Sequence, residues 1–181
     1  MTWIRTVPPS EATGELKAVY DQHLAKGGFH SNFYEALSLK PEVATAIWNL
    51  VPLLSAGGTT LGRRKEELVA VVVSGINRNR YCFNGHGERL KAIAADVGGD
   101  VIRDWRTADL PADEVALLQF CEKATLRHEP MSADDAAALR SAGYTDKQVL
   151  EIVLLVALRQ FCNTIGDALG VDPYFVRGAG Q

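Results

Sequence analysis

Cys82 and His86 stand four residues apart in the stretch INRNRYCFNGHGERL, directly after a long apolar run. On a helix this spacing puts thiol and imidazole on one face, a turn apart and about 40° around, within reach of each other or of a shared water. Asn79, three residues before the cysteine, is a good N-cap. Arg80, Tyr81 and Cys82 then occupy the first helical positions, where backbone N–H groups lack partners and the positive end of the dipole favours a thiolate. Glu67 lies fifteen residues upstream of Cys82, where a second apolar helix is expected to open. Partly buried, its carboxyl is expected to titrate above the usual range, which suits proton transfer. The chemistry sketched is that of a thiol nucleophile with a carboxylate–imidazole relay, lined by Asn79 and Tyr81.

Each residue also has a plain structural explanation. A lone helical cysteine is most often a small buried hydrophobe. A histidine between glycines is often a satisfied surface residue, and Glu66 and Glu67 at a helix start suit the macrodipole by themselves. Asn79 is explained by capping, within a polar NRNR turn. Cys82, His86 and Glu67 fall short of a structural zinc set, and His23, His30 and His128 have no helical pairing with them, so no metal is expected. GHG is too short for a phosphate loop, and no cofactor is expected.

The elements needed to hold these residues are helices. Pro8 and Pro9 precede Ser10, the expected cap of a helix from Glu11 to about Leu24, which KGGF ends. A helix after Pro41 places Val43, Ile47, Leu50 and Leu54 on one stripe, weakened by Pro52 and stopped by Gly57 and Gly58. RRKEELVAVVVSGIN is apolar on every face after a charged start; its valines suit a strand, but its length favours a buried helix. The helix carrying Cys82 is expected to run to about Val97–Gly99. Val115, Leu118 and Cys121 mark the apolar face of the next one. Ser132 is the expected cap of a short helix, and Thr145 caps a long apolar one that Gly170 closes. No stretch alternates as a strand would, so the fold is expected to be all-α.

The 181 residues are 47% hydrophobic and 23% charged, with net charge -3 and no basic block, so nucleic acid is not the expected partner. The longest apolar stretch, Val149–Leu158, contains Glu151 and is well short of the roughly 20 residues of a membrane span. The first residues carry no signal-peptide core, and a cytoplasmic location is expected. There the three cysteines, Cys82, Cys121 and Cys162, are thiols by default. RNRYCFNGHGERL and ALRQFCNTIGDAL also echo each other at an offset of about 80, matching Tyr81 to Phe161 and Cys82 to Cys162. Either chance or two related helical halves would explain this.

Glu67, eleven residues, Asn79-Arg80-Tyr81-Cys82, three residues and His86 together resemble the motif of the alkylhydroperoxidase (AhpD)-like branch of the carboxymuconolactone decarboxylase superfamily, and more narrowly its peroxidase-related group. That motif is Glu, eleven residues, Cys-x-x-Cys, three residues, His; only the first cysteine is missing, at Asn79. GYTDKQVLEIVLLVALRQFCNTIGDALGVDP resembles the family's C-terminal helix, so the likeness runs from about Pro41 to Pro173. The resemblance implies one AhpD-like helical domain over residues 1–181, with residues 1–40 as added N-terminal helices and 41–173 as the family-like core. It implies that Cys82 is the peroxide-reactive sulfur and that Glu67 and His86 relay protons. A homo-oligomer is also implied; Trp3, Phe29, Phe33 and Trp48 would suit its interface.

Without a thiol at position 79, a sulfenic acid on Cys82 cannot close onto the usual neighbour. Three outcomes stay open. Cys82 works alone on a peroxide and is resolved by an external thiol reductant. Cys121 or Cys162 takes the partner role, which needs Cα atoms within roughly 7 Å. Or the chain does no thiol chemistry, and is either an acid/base enzyme acting on a small organic acid or lactone through Glu67 and His86, or a helical scaffold.

Overall fold

The structure is a computed structural model that describes residues 2–172 and the backbone of 176–177. Among the described residues it contains nine α-helices, two short 3-10 turns and a two-residue antiparallel strand pair, so the expected all-α fold stands. The chain divides into two compact units, Met1–Pro52 with Ile165–Gln181, and Leu53–Thr164.

In the first unit, Pro8 and Pro9 start a 3-10 turn over Pro9–Glu11 rather than a helix. Helix α1 (Gly14–Gly27) begins after Thr13, so Ser10 lies inside the turn and does not cap it. Gly28 ends α1 at φ 72, its N–H donating to the Leu24 carbonyl at 2.8 Å, a left-handed exit that favours glycine. Strand β1 (Phe29–His30) pairs with β2 (Val176–Arg177). Helix α2 (Asn32–Ala36) is capped by the Ser31 hydroxyl.

Helix α3 (Pro41–Leu54) continues through Pro52 and buries Ala44 and Ile47, while Leu50 of the expected stripe is exposed. Of the aromatics expected at an interface, Phe33 is buried, and half-buried Trp48 packs with His23 and Tyr34. Trp3 is 74% exposed.

The second unit is organised around α4 (Arg63–Ile76), whose residues are buried without a break from Glu66 to Ser74. Each valine or leucine removed from water there contributes about 1.5–3 kcal/mol, which is why this segment sits at the centre. It packs against α5 (Arg80–Ile93) and α7 (Ala112–Leu126). Its core partners include Leu90, Leu117, Leu118, Ile152 and Leu155.

Helix α5 ends earlier than expected, at Ile93 with Ala94 as its C-cap, and α6 (Gly98–Asp104) follows as a separate helix of about two turns. A Cβ on Gly98 would lie 3.0 Å from the Lys91 Cα and 3.1 Å from the Leu90 carbonyl oxygen, so a side chain there would crowd the α5 backbone where the chain folds back. On α7 the buried face is Glu114, Leu117, Leu118 and Cys121; Val115, expected among them, is half-buried. Helix α8 (Ala133–Ser141) starts at Ser132, whose N–H and hydroxyl both bond the Asp135 carboxylate.

Helix α9 (Asp146–Ala168) starts at Thr145 in a reciprocal exchange: Gln148 N–H donates to the Thr145 hydroxyl at 3.3 Å, and Thr145 N–H to the Gln148 amide oxygen at 3.0 Å. At 23 residues it is long and apolar enough to cross a bilayer by length and composition, unlike the shorter stretch read from the sequence. Half of its most apolar window is buried in the protein, and that buried face carries Arg159 and Asn163, the arrangement of a core helix.

Candidate active site

Glu67 sits on the second turn of α4 and His86 in the middle of α5, two helices that pack along much of their length. Both side chains are buried, and the Nδ1 of His86 is 2.6 Å from Glu67 Oε2. On the other side of the ring, Arg159 of α9 brings Nη1 to 2.5 Å from His86 Nε2. A guanidinium can only donate, so Nε2 is the accepting nitrogen and Nδ1 carries the proton given to the carboxylate. The neighbours thus fix the tautomer.

Burial, and after it the charge of Arg159, push the His86 pKa down to about 4, against the opposing pull of Glu67. For Glu67, burial acts to raise the pKa. The His86 hydrogen bond and the charges of His86, Arg89 and Arg159 outweigh it and hold the carboxyl below its ordinary value. This corrects the sequence expectation of a raised acid: at neutral pH the group is a carboxylate, a neutral imidazole and a guanidinium in a row.

Two more arginines complete the surroundings. Arg89 Nη1 is 3.3 Å from His86 Nδ1, whose proton already points to Glu67, so it contributes charge. Arg63 Nη2 is 3.8 Å from Glu67 Oε1 and half-exposed. The neighbouring Glu66 does more than complement a dipole. Its buried carboxylate accepts from Gly57 N–H at 2.6 Å, and from the Thr59 N–H and hydroxyl at 2.9 and 2.7 Å, which holds the loop before α4.

Cys82 is buried at the third position of α5, one turn before His86. Asn79 is the N-cap expected: its Oδ1 accepts from Cys82 N–H at 2.8 Å. Its Nδ2 donates to the Asn163 carbonyl at 3.2 Å, so one amide clamps the start of α5 to α9. This amide tie stands where the resembled motif has a thiol. Tyr81 beside it is half-buried.

Cys162 shares the buried face of α9 with Arg159; burial raises its pKa and the arginine's charge works against that. Cys121 is 0% exposed in the apolar core, where burial pushes its thiol up strongly. None of the three is in a disulfide. Among the described residues no group of three His, Cys, Asp or Glu side chains could hold a metal ion.

The sequence reading missed Arg159. Its signal was a single cation continuing the buried register of Ile152, Leu155 and Val156, in a helix otherwise apolar on that face.

No known family profile matches the chain, and no curated protein does. Solved structures do. The AhpD core of an uncharacterized peroxidase-related protein from Ralstonia eutropha JMP134 is 23% identical over 96% of this chain and 92% of its own, with a TM-score of 0.83. An uncharacterized peroxidase-related protein from Silicibacter sp. TM1040 is 25% identical over 93% and 90%, also at 0.83. The debrominase Bmp8, in complex with 2,3,4-tribromopyrrole, is 18% identical over 96% and 92%, at 0.77. The fold is that of these AhpD-like proteins, and the likeness supports an AhpD-like superfamily assignment.

Proposed function

We propose that the protein is a thiol peroxidase in which Cys82 attacks a hydroperoxide and an external thiol restores it. The observation that carries this reading is the buried Glu67–His86 hydrogen bond set one turn from a cysteine at the start of α5. Once Arg159 turns from Nε2, His86 accepts the Cys82 thiol proton, and Glu67 stabilises the imidazolium. The thiolate attacks the terminal oxygen of ROOH: the S–O bond forms, the O–O bond breaks, and the leaving alkoxide takes the proton back from His86. Cys82 is then a sulfenic acid. One external thiol displaces water to form a mixed disulfide, and a second releases Cys82 and departs as a disulfide. Asn79 offers no sulfur for a shorter route. The same proposal includes a cytoplasmic setting, where such thiols are abundant. It also includes self-association through α9, whose Leu150, Val153, Leu154 and Phe161 are exposed together.

Peroxide consumption with dithiothreitol tests the reading on wild type, Cys82→Ser and His86→Ala. Loss of turnover in Cys82→Ser, and a fall of about 100-fold or more in His86→Ala, is the expected result. Equal rates in wild type and Cys82→Ser would end the peroxidase reading. An acid/base enzyme acting on a small organic acid would instead survive the serine and fail with the alanine.

A further inference from the structure

We infer that the site takes an anionic substrate, a small organic molecule carrying a carboxylate, and that Arg159 is the residue that binds that group. As a statement about turnover this rests on the peroxidase reading above and specifies its substrate as a carboxylate-bearing hydroperoxide; as a statement about binding it stands on the geometry alone.

Three guanidinium groups, those of Arg63, Arg89 and Arg159, surround one carboxylate and one neutral imidazole. In a protein of net charge -3, the Glu67–His86 pair therefore lies in a locally cationic setting. Arg63 and Arg89 reach solvent and are balanced by water, but Arg159 is only 4% exposed. Among the described residues, no carboxylate makes an ion pair with Arg159. Its charge meets that of Glu67 only across the imidazole, and its buried Nε has no hydrogen-bond partner. A buried guanidinium without a carboxylate is costly, and an unsatisfied charged donor adds to the cost.

Arg159 spends Nη1 on His86, and that leaves the Nε–Nη2 edge, the side on which a carboxylate docks as a two-pronged fork. Arg63 and Arg89, exposed on the Glu67 and Nδ1 side of the ring, add positive charge that would draw an anion towards the pair. The arrangement also couples binding to chemistry. While Arg159 donates to Nε2, the imidazole has no lone pair for the Cys82 proton. A bound carboxylate competes for the guanidinium and releases Nε2, so His86 becomes a base only when substrate is present.

Two experiments test this. First, benzoate is titrated into Cys82→Ser protein, followed by calorimetry and by NMR of the His86 imidazole. Saturable binding with a rise in the His86 pKa is expected, and Arg159→Gln should weaken binding by about tenfold or more, the effect of a charge-assisted contact. Benzoate that fails to bind, or binds Arg159→Gln equally well, overturns the proposal. Should that variant not fold, benzamide takes its place: an uncharged isostere binding as tightly as benzoate overturns it as well.

Second, wild type is given cumene hydroperoxide and its 4-carboxy derivative. The carboxylate should be preferred by about tenfold in kcat/KM, with Arg159→Lys keeping part of the preference and Arg159→Gln none. Equal use of both hydroperoxides overturns the anionic substrate and leaves the peroxidase standing. Benzoate bound while neither hydroperoxide is consumed supports the anion site and removes the peroxidase.

Discussion

A neutral histidine held between Glu67 and Arg159 must cost the fold stability in acid, and the size of that loss can be worked out. As pH falls, the unfolded chain protonates this histidine near 6.5, whereas the folded protein resists until about 4. Between those values the unfolded state binds more protons, so folding stability declines with falling pH. One pKa unit is worth about 1.4 kcal/mol, so the drop from 6.5 to about 4 amounts to about 3 kcal/mol, present at pH 7 and gone by about pH 4. Glu67, held below its ordinary value of 4.5, adds a loss of the same sign at lower pH.

Urea denaturation of wild type and His86→Gln at pH 7, 6, 5 and 4 isolates the effect. Glutamine keeps a donor for Glu67 but does not titrate, and His23, His30 and His128 remain in both proteins. The two stability curves should converge by about 3 kcal/mol as the pH is lowered. Curves that stay parallel would refute the claim that His86 is buried as the neutral base between these two charges.

Asn79→Ala removes both the cap of α5 and its clamp on α9, and should lower stability by about 2 kcal/mol in urea melts. Glu66→Ala leaves the Gly57 and Thr59 donors without an acceptor. A loss of about 3 kcal/mol is expected, with faster hydrogen exchange at those two amides. Iodoacetamide should leave Cys121 unmodified in the native protein and label it once urea exposes the core, as read by peptide mass mapping.

Glu67, His86 and the capping Asn79 were legible in the sequence because each is tied to helical spacing, and α4 and α5 place them as that spacing requires. The buried helix of valines was legible too, since a run apolar on all faces has only one place to go. Other features depended on partners far along the chain. Glu66 and Glu67 are indistinguishable as neighbours at a helix start, yet one fastens a loop and the other faces an imidazole. The pKa of Glu67 was misjudged because burial was visible in the apolar run, while the groups that outweigh it, His86, Arg89 and Arg159, come from α5 and α9. Arg159 stayed hidden for the same reason: a cation in an apolar helix gains meaning only from what it meets. The early end of α5 follows from the fold-back at Gly98, a packing event that no local propensity records.

Helix α9 carries Leu155 and Val156 for the core, Arg159 for the imidazole and Asn163 for the clamp, all along one line. One residue inserted after Leu158 would turn everything beyond it by about 100°, aiming the guanidinium and the clamp away from α5 while the earlier leucine and valine stayed seated. Point changes can tune this assembly gradually, but a one-residue slip along that rod parts the guanidinium and the clamp from the core in a single stroke.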